Sequence, residues 1–136
     1  MDFNNLAGHD MKVYVVEDSA AVRERLVEMI REVEDVEVVG EAATYGKAVA
    51  GIRDTLADVA ILDIKLADDT GSGIDVLAEI RKTMPAIRAI VMSNYATPQH
   101  VKASADAGAE YFLDKSVDFE RIPEILRRMV GSTDGH

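Results

Sequence analysis

The sequence predicts an α/β protein built on a parallel sheet of five strands with helices on both faces. Three observations carry this. Short runs rich in β-branched residues, "KVYVV", "VEVVGE", "DVAILD", "RAIVMS" and a brief "EYFLD", recur along the chain. Longer stretches with helical spacing of apolar residues separate them. Most of the runs are apolar throughout rather than alternating, which fits strands buried on both sides. At 136 residues the chain makes one domain, long enough for a well-buried core. The patterned part spans 11–130; "MDFNNLAGHD", 1–10, reads as a flexible leader and "GSTDGH", 131–136, as a flexible tail.

Each element follows from local chemistry. After the first strand, Val22, Leu26, Met29, Ile30 and Val33 fall on one helix face. After the second, "YGKAVAGIRDTL" is helix-like but holds Gly46 and Gly51, so this helix is expected to be the least stable. After the third, "SGIDVLAEIRKTM" offers Ser72 as N-cap, turns Val76, Leu77, Ile80 and Met84 inward, and meets Pro85 just past its end. After the fourth, "TPQHVKASADAG" has Thr97 as N-cap, Pro98 at the first helical position and Gly108 as its stop. In "DFERIPEILRRMV", Pro123 starts the regular helix near Ile122.

Composition removes several functions. There is no cysteine, so disulfides, thiolate metal sites and a cysteine nucleophile are excluded, in keeping with a reducing cytoplasm. No apolar run is long enough to span a membrane, and no signal peptide is visible. The net charge is −10, which argues against the domain binding nucleic acid and for a protein or a small cation as partner. His9, His100 and His136 lack ligand spacing.

In a doubly wound sheet the functional crevice lies beyond the carboxyl ends of the strands. Glu17 and Asp18 end the first strand, Asp63 the third, Ser93 the fourth and Lys115 the fifth. Singly, Asp18 or Asp63 reads as a turn or cap residue, Lys115 as a solvated charge and Ser93 as a strand-end turn residue. Together they form a set. Three carboxylates in one crevice need a raised pKa or a cation, and Mg²⁺ takes oxygen ligands of this kind. Asp63 is then a candidate nucleophile toward a phosphoryl group. Lys115 and the metal would offset charge on the transferring group, and the Ser93 hydroxyl would donate to it. "GSG" at 71–73 reads as a turn and helix start, since it lacks the rest of a nucleotide fingerprint.

With "VVEDSAAVR", "ADVAILDIKL", "GIDVLAEIR", "AIVMSNYA" and "AGAEYFLDKS" in this order, the chain resembles the receiver domains of bacterial two-component response regulators, the CheY-like family, over about 11–130. The resemblance implies a (βα)5 fold of flavodoxin type with strand order 2-1-3-4-5. It makes Asp63 the phosphoacceptor, with Ser93 and Lys115 as catalytic partners. Glu17, Asp18, Asp63 and the backbone carbonyl of Lys65 become the Mg²⁺ ligands. Ser93 and Phe112 become the switch pair, Tyr111 competing with Phe112 for that role. Lys65 and Tyr95, two residues past Asp63 and Ser93, would tune hydrolysis of the acyl phosphate.

The implied function is a phosphorylation-dependent signalling switch that catalyses its own aspartyl phosphorylation and dephosphorylation. The phosphoryl group would come from a phosphohistidine on a sensor histidine kinase or a histidine phosphotransfer protein. A downstream protein would read the fourth helix, fifth strand and fifth helix, and a homodimer is allowed without being required. The absence of an output segment points to a stand-alone receiver; an excised receiver would read the same way. The departures from the family are Ser116 where proline, commonly preceded by a cis peptide, is usual; Asn94 after Ser93; and a longer "LADDTGSG" loop without the usual proline after Leu66. A cis bond before a non-proline residue costs about 3–4 kcal/mol, so a trans peptide and a strained one both stay open. These departures sustain one alternative, a degenerate receiver that binds protein without phosphorylation. A haloacid-dehalogenase-type hydrolase would want a second Asp where Lys65 stands, and "EDSAAV" lacks dinucleotide-binding glycines.

Overall fold

The apolar runs pair with one another because strands without a polar face can satisfy their backbone only inside a covered sheet. The structure, a computed structural model, describes residues 10–68 and 70–134. The strands are β1 (Met11–Val16), β2 (Val36–Ala42), β3 (Val59–Asp63), β4 (Arg88–Ser93) and β5 (Tyr111–Asp114). All pair in parallel, in the order β2-β1-β3-β4-β5. The expected winding is present, and its order reverses beside β1, so the crevice opens where β1 and β3 end.

The helices are α1 (Ala20–Arg31), α2 (Tyr45–Thr55), α3 (Gly73–Arg81), α4 (Pro98–Asp106) and α5 (Ile122–Asp134). Ser19, Thr44, Ser72 and Thr97 cap the first four through their side chains, and Ser72 with Asp75 closes a reciprocal capping box. Pro98 occupies the first turn of α4. Ahead of α5, Phe119–Arg121 form a turn of 3-10 helix, so the regular helix begins at Ile122, as Pro123 required. Two helices end earlier than their apolar spacing suggested. Met84 lies past α3 and Val33 past α1, each reaching the core from a turn rather than a helix. Residues 1–9 of the expected leader lie outside the described residues, as do 135 and 136 of the tail. In between, α5 continues to Asp134.

Two cores flank the sheet. Leu26 and Ile30 of α1 and Leu126 and Met129 of α5 pack on Val13, Val15, Ile61, Ile90 and Met92. On the other face, Ile52 of α2 and Leu77 and Ile80 of α3 pack on Val16, Leu62 and Ala89. Tyr14 belongs to this second core, and its ring explains two glycines. A Cβ on Gly40 would lie 2.5 Å from the ring and one on Gly51 2.0 Å from the hydroxyl. The β1–β2 register shifts beside Tyr14, where the ring crosses β2. Gly51 is therefore a packing requirement inside α2 rather than a simple weakness.

Candidate functional site

The ends of four strands bring the predicted residues together. β1 ends at Val16, and the Glu17 N–H continues the ladder by donating to Ala42 O at 3.0 Å. Ser19, one step on, caps α1, so the Asp18 carboxylate is left free of capping duty. Asp63, at the end of β3, is 3% exposed and Glu17 fully buried. Carboxylate oxygens of Glu17, Asp18 and Asp63 all lie within 4.8 Å of one another. Lys115, just past β5, places Nζ 2.8 Å from Glu17 Oε1 and 3.1 Å from Asp63 Oδ2.

One ammonium cannot neutralise three carboxylates, and the ionisation shows it. Burial, then the charge of Glu17, pushes the Asp63 carboxyl up to about 7 against the opposing pull of Lys115. Burial also raises Asp18, but hydrogen bonds with Glu17 and Asp63 and the charge of Lys115 outweigh it and hold Asp18 below the usual range. Burial would lower Lys115; the close Glu17 carboxylate and the charges of Asp63 and Glu17 hold it above the ordinary lysine range instead. Glu17 Oε1 is buried and receives no hydrogen bond of good geometry, its one partner being the Lys115 charge. Excess negative charge, an all-oxygen donor set and this buried oxygen without a well-formed hydrogen bond together fit a hard divalent cation.

On the other side of Asp63, Ser93 is 4% exposed. Its hydroxyl accepts from the Tyr95 N–H at 2.9 Å and donates to the Tyr95 carbonyl at 3.0 Å. That carbonyl also accepts from Thr97 N and lies 2.8 Å from His100 Nδ1, which must therefore carry a proton. Ser93 is thus tied to its own turn, not to Asp63. Tyr95 is largely exposed, and Lys65 is exposed beyond β3. Phe112 pairs with Val91 in register and is half-buried. Tyr111, its competitor, packs into the α1–α5 core on the opposite face. Strand alternation puts Phe112 on the face of Ser93.

Sequence reasoning passed over two features here. Gly73 opens α3 against the backbone of Asp63, where a Cβ would come within 2.1 Å of the Asp63 carbonyl oxygen. "GSG" signalled a turn, but only the tertiary contact demands glycine at its last position. The longer loop after Asp63 is pinned back on β2–α2. Ala67 N donates to Ala43 O, Tyr45 N to Asp68 Oδ1, and Gly71 lies under the Tyr45 ring. At the other departure, the Lys115–Ser116 peptide is trans, as are all peptides among the described residues.

Comparison with known proteins agrees with the geometry. The family model "Response regulator receiver domain" matches residues 13–127. The DNA-binding transcriptional activator DevR/DosR of Mycobacterium tuberculosis is 31% identical over 107 residues, 79% of this chain and 48% of that protein. The response regulator VraR of Staphylococcus aureus is 27% identical over 118 residues, 87% of this chain and 56% of that protein. Among solved structures, the signal receiver domain of a NarL response regulator from M. tuberculosis superposes with a TM-score of 0.77 at 27% identity, covering 94% of this chain and 99% of that one. The chain belongs to the receiver-domain family of two-component response regulators. It spans about half the length of the curated relatives it matches. The expectation that nucleic acid is no partner is therefore unsupported. The net charge speaks for this domain's surface, whereas the first of those relatives is a DNA-binding protein. No described helix is long and apolar enough to cross a membrane.

Proposed function

We propose that the chain is a cytoplasmic phosphorylation switch in which Asp63 takes a phosphoryl group from a phosphohistidine of a sensor kinase or phosphotransfer protein. The observation that carries this is the buried Asp63 carboxylate held between Lys115 Nζ and the Glu17–Asp18 pair at the carboxyl edge of the sheet. An Asp63 oxygen attacks phosphorus, the P–N bond breaks, and the imidazole leaves with its electron pair. Glu17, Asp18, Asp63 and the Lys65 carbonyl would hold Mg²⁺, which supplies positive charge to the equatorial oxygens when bound. Lys115 is already at Asp63 and needs only to follow the added charge. Ser93 must give up the Tyr95 carbonyl to donate to the phosphoryl group, and Phe112 on the same face fills the space it leaves. Lys65 and Tyr95, exposed beside this mouth, set water access and so the phosphoryl lifetime. Replacing both should change the hydrolysis rate several-fold; an unchanged lifetime removes them from that role.

Output through the α4–β5–α5 face is supported by how lightly α4 is held, with Ser104 its single buried residue. The domain would act there on a protein target. The kinship with DNA-binding regulators favours a second output, in which the same face controls a nucleic-acid-binding segment. The engagement of Ser93 with Tyr95 supports the alternative of a binding module that never takes phosphate. Intact mass after incubation with Mg²⁺ and a small acyl-phosphate donor separates the two, with Asp63→Asn in parallel. A phosphoryl adduct needing both Mg²⁺ and Asp63 is expected. No adduct, with a panel of kinases as well as the small donor, would leave the binding module.

A further inference from the structure

Lys115 reaches the site from a chain segment whose usual proline is replaced by Ser116, so something else must fix its backbone. Before it, the Lys115 N–H donates to Ser93 O at 2.9 Å, closing the β4–β5 ladder. After it, the Ser116 N–H and the Ser116 hydroxyl both donate to one oxygen, Asp114 Oδ1, at 2.9 and 2.6 Å. Asp114 is itself held at both ends. Its N–H donates to Asp118 Oδ2 at 3.1 Å, and its carbonyl accepts from Val117 N at 3.1 Å and Asp118 N at 2.7 Å. The turn 114–118 is therefore closed around Lys115 by hydrogen bonds that converge on Asp114.

We propose that Asp114 is a positioning residue for Lys115, its side chain clamping Ser116 so that the ammonium is delivered between Glu17 and Asp63. This rests on the phosphoryl-acceptor reading of the site. The clamp acts by geometry and not by charge. The carboxylates that act on the Lys115 ammonium are Glu17 and Asp63, while Asp114 faces Ser116 at the protein surface. Asn at 114 keeps an acceptor oxygen for both Ser116 donors, whereas Ala keeps none. Misplacement of a transition-state charge by a fraction of an ångström is enough to slow transfer.

The test uses the full chain with Mg²⁺ and a small acyl-phosphate donor, following the adduct by intact mass. Asp114→Ala should slow phosphorylation about tenfold, and Asp114→Asn should restore it to within about twofold of the parent. Ser116→Ala, which keeps the backbone donor, should cost about threefold at most. A second readout does not depend on phosphorylation. The ¹⁵N signal of the buried Lys115 ammonium, assigned with Lys115→Met, should be lost by exchange in Asp114→Ala and kept in Asp114→Asn. Parent-like phosphorylation in Asp114→Ala, or equal loss in Asp114→Asn, would overturn the proposal. If the parent takes no phosphoryl group, the site reading fails and the ammonium signal alone decides: its survival in Asp114→Ala rejects the clamp. If Asp114→Ala does not fold, Asp114→Asn and Ser116→Ala carry the comparison, and a tenfold loss in Asp114→Asn rejects it.

Discussion

α2 and α4 lie on the same face of one sheet and are capped in the same way, yet they are held very differently. α2 buries Ala48, Val49 and Ile52, and the Tyr14 ring lies against Gly51. α4 buries only Ser104, whose hydroxyl turns back to the His100 carbonyl of its own helix. Burying a Val or Ile is worth about 1.5–3 kcal/mol, so α2 is several kcal/mol better anchored despite its two glycines. The strong helix braces the side of the crevice where the charges are. The weak one adjoins Ser93, where the proposed switch would change a hydrogen-bond partner. On the proposed switch, stability would be placed where the site stays fixed and withheld where it responds.

The largest expected effect breaks the bracing directly. Gly51→Ala should improve helix propensity by about 1 kcal/mol and still destabilise the domain, by about 2–4 kcal/mol. The new Cβ would meet the Tyr14 hydroxyl and ring carbons, whose far side is closed by β2. Denaturant unfolding measures this, and Tyr14→Leu in the Gly51→Ala background should recover part of the loss. A stabilised Gly51→Ala would show that α2 is ordered by propensity and not by the ring.

The braced side also carries the charge, which gives the second effect. Without a cation, the Asp63 carboxyl, pushed up to about 7, keeps a proton in the folded state that the unfolded chain has released above about pH 4. The folded state therefore binds more protons between those values, and stability falls as pH rises through that window. Asp63→Asn cannot ionise and should escape this loss. In EDTA at pH 8 it should be more stable than the parent by about 2 kcal/mol, discounted for the open mouth of the site. The gap should close near pH 4. Adding Mg²⁺ should narrow it at pH 8 by stabilising the parent alone. Equal stability of the two proteins at pH 8 in EDTA would show that the crevice tolerates its charges unaided.

The braced side was the easier one to read from sequence. Strands of Val, Ile and Ala announce themselves, and topology places the residue that ends each strand at the edge, so Glu17, Asp18, Asp63, Ser93 and Lys115 could be gathered from the strand pattern alone. What escaped depended on distant contacts. Gly51 looked like a helix defect because the ring it accommodates is 37 residues earlier (51 minus 14). Gly73 looked like a turn residue because its neighbour, the Asp63 carbonyl, is supplied by the fold. α4 looked the more regular helix because its cap, first-turn proline and terminal glycine are all local signals. Local signals set where a helix starts and stops; they say nothing about how much it buries.

Gly46 sharpens the same contrast with a smaller effect. It stands in the first turn of α2, and a Cβ added there would meet nothing within 4 Å. Gly46→Ala should therefore stabilise the domain, by about 0.5 kcal/mol, where Gly51→Ala destabilises it. Thermal or denaturant unfolding of the two variants side by side reads opposite signs from the same substitution in one helix. Destabilisation by both would mean that α2 resists any added side-chain bulk, and the Tyr14 contact would lose its special place.

The smallest effect on stability tests the responsive side. Ser104→Ala removes a hydroxyl whose partner, the His100 carbonyl, belongs to the same helix, so global unfolding should shift by at most about 0.5 kcal/mol. Amide hydrogen exchange should show the difference that unfolding conceals. α4 amides should open locally, with protection at least about 30-fold below that of central α2 amides, because little apolar surface is exposed when α4 lets go. Phosphorylation should raise that protection once Ser93 has exchanged the Tyr95 carbonyl for the phosphoryl group and the turn before α4 has reset. If α4 and α2 exchange together, at the rate of global unfolding, then α4 is not the compliant element. The signal would then have to leave the site through β5 and the turn that carries Lys115.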